Sequence, residues 1–344
     1  MSDMERTIAR LIAEGTGAEA QLEELTKLHG DASYRTYYRA RMEDGSSFVV
    51  MKMPDGPASA SEEITNFKGT HEELPFINIS KYLSSLGIPV PAVHIYSEAD
   101  HIMVLEDLGD DLLAGRVDGA EEPERLGWYG RALDLLILIQ ARTKEAGARS
   151  CVADARSFDA TLLDWEFDHF REYAIEARLG RRMSQADREA FEEETRAITR
   201  EIVSMPYGFT HRDFQSRNIV IKDGALYLID FQDALSGPRA YDLVALTRDS
   251  YVRLADGTVE ELLRRYCERS DLSCEGIRRE FDLVTVQRKL KDAGRFVYID
   301  RVKGNSGFLR YIPTSLEYVR TAIGRLPERA RLAETISKYL PEWS

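Results

Sequence analysis

Apolar positions alternate with polar ones over short runs in the first third of the chain, then recur every three to four residues over most of the rest. The runs YRTYYRARME (Tyr34–Glu43) and SSFVVMKMP (Ser46–Pro54) are β-rich and meet around Asp44-Gly45, which favours a tight hairpin turn. HIYS and HIMVLED flank Glu98-Ala99-Asp100 and predict a second hairpin. Between the hairpins a helical stretch over Phe76–Leu86 ends at Gly87 and at IPVP, whose prolines stop a helix. After LEDLGDD the period changes. PERLGWYGRALDLLILIQART and FDATLLDWEFDHFREYAIEARL place apolar residues at helical spacing. SQADREAFEEETRAITREIVS opens with Ser184 three residues before Asp187, a capping-box-like start. Helical spacing resumes at Tyr241 and runs through GIRREFDLVTVQRKLKDAGRFVYID to the C-terminus. Phe209–Phe231 is the only strand-rich part of the last two-thirds, with a hairpin signal at Asp223-Gly224. The expected class is α+β. A small β-rich N-lobe covers residues 1–106, a connector lies near Glu106–Asp111, and a large, mostly helical C-lobe over 107–344 holds one polar hairpin.

Composition narrows the function more than the fold. The 344 residues suit one large or two medium domains, and 43% hydrophobic with 31% charged content is ordinary for a globular chain. A net charge of -13 and a pI near 5.1 disfavour a phosphate-backbone partner, so no nucleic acid is expected. MSDMERTIARLIAEG has no apolar core of signal-peptide length, and LDLLILIQA (Leu133–Ala141) is too short to span a bilayer, so no membrane association is expected. Cys151, Cys267 and Cys274 form no C-x-x-C pair, which fits reduced thiols in a cytoplasmic protein. No two histidines show metal-ligand spacing, so no structural zinc site is expected.

FTHRDFQSRNIVI (Phe209–Ile221) sets one His, two Arg, one Asp and one Asn between apolar runs, and ALYLIDFQDA (Ala225–Ala234) follows it. Asp213 and Asn218 bracket a loop and Asp230 ends the return strand, a spacing that lets the three side chains converge at one end of the hairpin. Phosphoryl transfer from ATP needs such a set. Mg²⁺ takes oxygen ligands from protein and phosphates, which Asn218 and Asp230 supply. Asp213, free of metal, accepts the acceptor hydroxyl's proton and orients it in line with the γ-phosphate. Asp and Asn also cap turns, and that reading stands beside the catalytic one. HRDFQSRN fits H-R-D-x-x-x-x-N, the catalytic-loop pattern of protein kinases and their relatives.

The first third of the chain offers candidates for the rest of a nucleotide grip. Lys52 sits mid-strand in FVVMKMP, where the kinase-like plan puts the lysine that pairs the α- and β-phosphates; an edge-strand lysine pointing to water is the alternative. HGDASYRTYYR (His29–Arg39) falls where a glycine-rich flap would lie but lacks G-x-G-x-x-G, which leaves Ser33 and nearby N–H groups to cradle phosphate oxygens. IMVLEDLGD turns polar at Glu106. Main chain near Glu106 and Leu108 is placed to pair an adenine edge, although an ordinary linker makes the same demands. Glu62, Glu63, Glu72 and Glu73, in the long polar insertion Asp55–Leu74, offer no unambiguous partner for Lys52.

These residues resemble the aminoglycoside phosphotransferase/choline kinase superfamily, the small-molecule branch of the protein-kinase-like bilobal fold. The chain runs from Asp230-Phe231 straight through QDALSGPRAYDLVAL, with no A-P-E and no long activation segment, as that branch does. GDASYRTYYR, LEDLGD, HRDFQSRN, IDFQDALSGPRAYDLVALTRDSY and QRKLKDAGRF…YIPTSLEYV are similar to the bacterial anomeric amino-sugar kinases, over about residues 29–320. Those enzymes phosphorylate the C1 hydroxyl of N-acetylmuramate and N-acetylglucosamine in cell-wall recycling. The resemblance implies ATP and Mg²⁺, with His211 and Asp242 supporting the catalytic loop; a helix N-terminal acid meeting the dipole is the other reading of Asp242. Arg217 and Asp233, inside the matched motifs, are candidate sugar contacts, and Arg295 is a candidate to face an anionic sugar. Two features depart from the subgroup: it often replaces the lysine that Lys52 retains, and the Asp55–Leu74 insertion is long. Both bear on the acceptor more than on the reaction. A kinase of another small hydroxyl acceptor (an aminoglycoside, a choline-like or an amino-acid alcohol) is the first rival. A non-catalytic nucleotide-binding pseudokinase is the second, and the intact Lys52, Asp213, Asn218 and Asp230 argue against it.

Overall fold

The structure, a computed structural model, describes residues 2–17, 21–28, 35–54, 73–147 and 151–343. Ser33, Glu62, Glu63, Glu72 and residues 55–72 of the insertion lie outside the described residues. The chain divides into two compact units, Met1–Asp111 with Val220–Gln232 and Leu112–Ile219 with Asp233–Ser344.

The first unit opens with helix α1 (Asp3–Thr16), started by a capping box in which Ser2 and Glu5 each bond the other's backbone N–H. Its apolar stripe, Ile8, Leu11 and Ile12, packs on Ala40, Met42, Val50, Ile102 and Val104. Those five residues lie on an antiparallel sheet in the order β1-β2-β3-β5-β4. The strands are β1 (Leu22–Lys27), β2 (Thr36–Met42), β3 (Ser47–Lys52), β4 (Val93–Ser97) and β5 (Ile102–Glu106). Both expected hairpins are present, β2–β3 and β4–β5. Strand β1 is an addition, because LEELTK is too polar to mark a strand by alternation. Lys52 is the last residue of β3, not a mid-strand one. Helix α2 (Pro75–Ser85) follows the insertion.

The second unit takes up the chain with α3 (Glu122–Ala146) and α4 (Ala160–His169), which continues into a π-helix over Phe170–Ala177. Helix α5 (Gln185–Val203) starts where Ser184 accepts a bond from Asp187 N, and β6 (Tyr207–Thr210) enters the polar region. The hairpin of β7 (Ile219–Lys222) and β8 (Ala225–Leu228) turns at Asp223 and Gly224, both at positive φ. This hairpin shifts the expected boundary. Ile221 N donates to Asp111 O at 2.7 Å, and Leu228 N donates to Pro89 O at 2.9 Å. Phe231 packs on Phe76 with ring centroids 4.8 Å apart. The first unit therefore extends past residue 106 to Asp111 and takes in 220–232 as well.

Strand β9 (Leu235–Pro238), outside the region expected to hold strands, pairs antiparallel with β6. Then come α6 (Ala240–Thr247), α7 (Asp256–Ser270), α8 (Cys274–Lys303), α9 (Ile312–Ile323) and α10 (Ala330–Ser337). Helix α8 is the axis of the second unit, with every residue from Phe281 to Leu290 buried. At Gly294 its backbone meets the π-helix so closely that a Cβ would lie 2.8 Å from Phe170 Cα. No helix among the described residues is long and apolar enough to cross a membrane.

Candidate active site

The polar loop begins where β6 ends. Asp242, buried in the first turn of α6, accepts His211 N at 2.6 Å and Arg212 N at 3.0 Å. Those two bonds turn the chain sharply enough to put Arg212 at φ 75, a conformation that only surrounding structure sustains in a non-glycine residue. Burial pushes the Asp242 carboxyl up to about 7, against the pull of the His211 N–H, Arg288 and the Arg212 N–H. His211, itself buried, accepts Asp213 N on Nδ1 at 3.2 Å. Asp249, fully buried beyond the end of α6, accepts Ser216 N at 2.9 Å, Ser216 Oγ at 2.5 Å and Tyr251 N at 2.8 Å. Two carboxylates thus pin the loop's two halves.

Asp213 stands at the loop's crest with 41% of its side chain exposed. Arg288, buried in α8, donates Nη1 to Arg212 O and Nη2 to Asp213 Oδ1, the latter at 3.2 Å. Burial pushes the Asp213 carboxyl up, but Lys291, Arg288 and Arg212 outweigh it and hold it at about 2. The result is a carboxylate that stays ionised at any physiological pH, with one oxygen engaged by Arg288. Asn218 donates Nδ2 to Asp213 O at 2.9 Å, so its Oδ1 is the end not spent inside the loop. An amide oxygen so presented is the kind of hard donor Mg²⁺ takes.

Other sequence-derived candidates lie farther along the second unit. Arg217 donates to Tyr311 OH at 2.9 Å and lies 3.9 Å from the Tyr251 ring centroid, engaged by an aromatic pair. Asp233 is near enough to Arg212 for its charge to favour the guanidinium. Arg295 sits over the Tyr298 ring at 4.9 Å.

In the first unit, Asp230 follows β8 at φ 64, and Gln232 Nε2 holds its Oδ1 at 2.8 Å. Glu106 accepts Lys222 Nζ at 2.7 Å, and its own N–H goes to Ala92 O at 2.9 Å. Of the Glu106 main chain, only the carbonyl therefore stays a candidate for a purine edge. Leu108 is buried beside it, and Arg39 ties the connector to β2 through Asp107 at 2.7 Å and Asp110 at 2.6 Å. Lys52 makes no ion pair among the described residues, and Glu73 pairs with Lys81 instead.

A family model, described as the phosphotransferase enzyme family, matches residues 24–280. That is most of the chain and the whole polar loop. The chain belongs to the phosphotransferase enzyme family. Among its relatives, the N-acetylmuramate/N-acetylglucosamine kinase of Pseudomonas aeruginosa is 29% identical over 96% of this chain and 92% of its own. The enzyme of the same name from Pseudomonas putida is 28% identical over 95% of this chain and 92% of its own. Among solved structures, the choline kinase LicA from Streptococcus pneumoniae superposes at a TM-score of 0.62 with 16% identity, over 93% of this chain and all of that one. At that identity the likeness speaks for the fold, which is protein-kinase-like. Three residues outside the motif support this phosphotransferase's polar loop: Asp249 holds Ser216, and Arg288 and Lys291 act on Asp213. Each lies inside a segment similar to the family, YDLVALTRDSY or QRKLKDAGRF. Nothing in those strings marks them as neighbours of residue 213.

Proposed function

We propose that this phosphotransferase moves the γ-phosphoryl group of ATP to the anomeric hydroxyl of an N-acetylated amino sugar, in cell-wall recycling. The observation that carries the reading is the state of Asp213: ionised, half-exposed, and steadied through one oxygen by Arg288. Such a carboxylate orients an acceptor hydroxyl and takes its proton late in a loose transition state. The anomeric hydroxyl suits a base this weak, because the ring oxygen makes it the most acidic hydroxyl of a reducing sugar. The names of the relatives, all N-acetylmuramate/N-acetylglucosamine kinases, support the acceptor class.

On this reading Asn218 and Asp230 hold Mg²⁺, which when bound neutralises charge on the phosphates. Lys52 pairs the α- and β-phosphates, Ser33 contributes to their cradle, and main chain at Glu106 and Leu108 faces the adenine. Arg217, with its guanidinium held by Tyr251 and Tyr311, and Asp233 frame the acceptor side. Choline-like and aminoglycoside acceptors are cations. Lys291 and Arg288, whose charges act on Asp213, make its surroundings unfavourable to them.

A transfer assay with radiolabelled ATP and a panel of free sugars, choline and aminoglycosides tests the reading. Label should pass to N-acetylglucosamine or N-acetylmuramate. Transfer only to choline or an aminoglycoside would replace the acceptor, and release of phosphate to water alone would remove the kinase reading.

A further inference from the structure

Two of the three cysteines, Cys267 and Cys274, come together where α7 gives way to α8. Helix α7 ends at Ser270, Asp271 turns the chain at φ 52, and Leu272 N returns to Cys267 O at 3.0 Å. Ser273 then caps α8 by accepting Gly276 N, which makes Cys274 the first residue of that helix. The tight connection sets the last turn of α7 beside the first turn of α8. Cys267 and Cys274 line one cavity of about 300 Å³ together with Leu263 and Ile277, and their side chains hydrogen-bond to each other. Their C-x₆-C spacing matches no redox or metal motif, so the pairing is a product of the fold.

The two thiols differ in access. Cys274 is exposed, and Cys267 is buried with 3% of its surface open. Burial first, and then the bond to Cys274, push the Cys267 thiol up to about 12. Cys274 is therefore the sulfur that a reagent reaches, and Cys267 stands behind it, still protonated. A metal suits the pair less well than oxidation does. Glu260, the carboxylate on the cavity wall, is taken by Arg278 at 2.9 Å. Among the described residues no group of three or more His, Cys, Asp or Glu is placed to hold a metal ion. Cys151, buried in the same unit, does not line this cavity.

We infer that Cys267 and Cys274 are a redox-modification site, which a low-molecular-weight disulfide converts into a disulfide bond between α7 and α8. Cys274, as thiolate, attacks one sulfur of the reagent, forms a mixed disulfide and expels one small thiolate. Cys267 then gives its proton to solvent and attacks Cys274 Sγ, which expels the second small thiolate. Two protein thiols are oxidised to one disulfide, and one small disulfide is reduced to two thiols. The bond fastens the end of α7 to the start of α8, the helix whose Arg288 holds Asp213. Nothing in this inference depends on which acceptor the enzyme uses.

The experiment incubates the full chain with oxidised glutathione and follows it by intact mass and by thiol titration in denaturant. Wild type should lose two hydrogens and keep one titratable thiol of its three, that of Cys151. Cys267→Ser should stop at a lasting glutathione adduct on Cys274. Cys274→Ser, a change at an exposed position, should take up neither adduct nor disulfide. Cys151→Ser should form the disulfide as wild type does and keep no thiol. Wild-type protein that retains a stable adduct, or all three thiols, would overturn the assignment. So would disulfide formation in Cys274→Ser, which would make Cys151 a partner.

Discussion

As the proposed base, Asp213 has to satisfy two conditions at once: it must stay ionised, and it must keep an oxygen for the acceptor. Arg288 meets both by taking Oδ1 and adding a buried positive charge. Asp213→Asn is expected to lower kcat by about 10²–10⁴-fold, the worth of a positioned base, with KM for ATP little changed. Near-normal turnover would show that another group receives the proton. Arg288→Lys keeps the charge but loses the planar fork that reaches Arg212 O and Asp213 together. It should lower kcat roughly ten-fold while a folded protein and the KM for ATP persist. A rise in the KM for ATP with kcat unchanged would place Arg288's effect on the nucleotide side. The string HRDFQSRN makes Asp213 and Asn218 candidates because their identities and spacing are the signal. It is silent on Arg288, 75 positions away, since QRKLKD reads as a solvated helical face.

At the scale of elements, the strands with an alternating pattern and a turn dipeptide were legible. β2–β3 closes at Asp44-Gly45 and β7–β8 at Asp223-Gly224. β1 and β9 were not, because LEELTK and LSGP lack alternation and owe their strand form to the partners β2 and β6. The π-helix over Phe170–Ala177 was equally invisible, since its apolar spacing is compatible with an α-helix. Its position depends on Gly294. Gly294→Ala is expected to cost about 1–3 kcal/mol, because the added methyl meets backbone that cannot rotate away. Chemical denaturation would show this, and an unaltered midpoint would mean that α8 and the π-helix separate freely.

Helices α5 and α10 are joined at Asp187, which receives Lys338 Nζ at 2.5 Å, Ser184 Oγ at 2.8 Å and Tyr339 OH at 2.8 Å. These donors, Lys338 foremost, hold the Asp187 carboxyl down at about 2. A carboxyl depressed in the folded state stabilises it fully above the unfolded value near 4, and that contribution is lost as pH falls through about 2. The stability gap between wild type and Asp187→Asn should therefore be constant above about pH 5 and narrow steadily below it. A gap that stays level down to pH 3 would show that the cluster does not act through charge.

For the molecule as a whole, a net charge of -13 does not carry over to the surroundings of Asp213. A chain of charge -13 sets Arg288, Lys291 and Arg295 along the helix that serves Asp213, where an acid-lined site for cationic acceptors would need carboxylates. The domain division was legible in outline from the change of period after LEDLGDD. The return of 220–232 to the first unit was not, because it depends on bonds to Pro89 and Asp111 made across long separations in sequence. Family membership and the protein-kinase-like fold make the chain a phosphotransferase, and the central proposal is that its acceptor atom is O1 of an amino sugar. The direct test is ¹H–³¹P NMR of the product formed from ATP and N-acetylglucosamine, with the methyl glycoside of the same sugar run beside it. Phosphorus coupled to the anomeric proton, in an α-1-phosphate, with the methyl glycoside inert, is the expected result. Phosphate at O6, or brisk phosphorylation of the methyl glycoside, would contradict it.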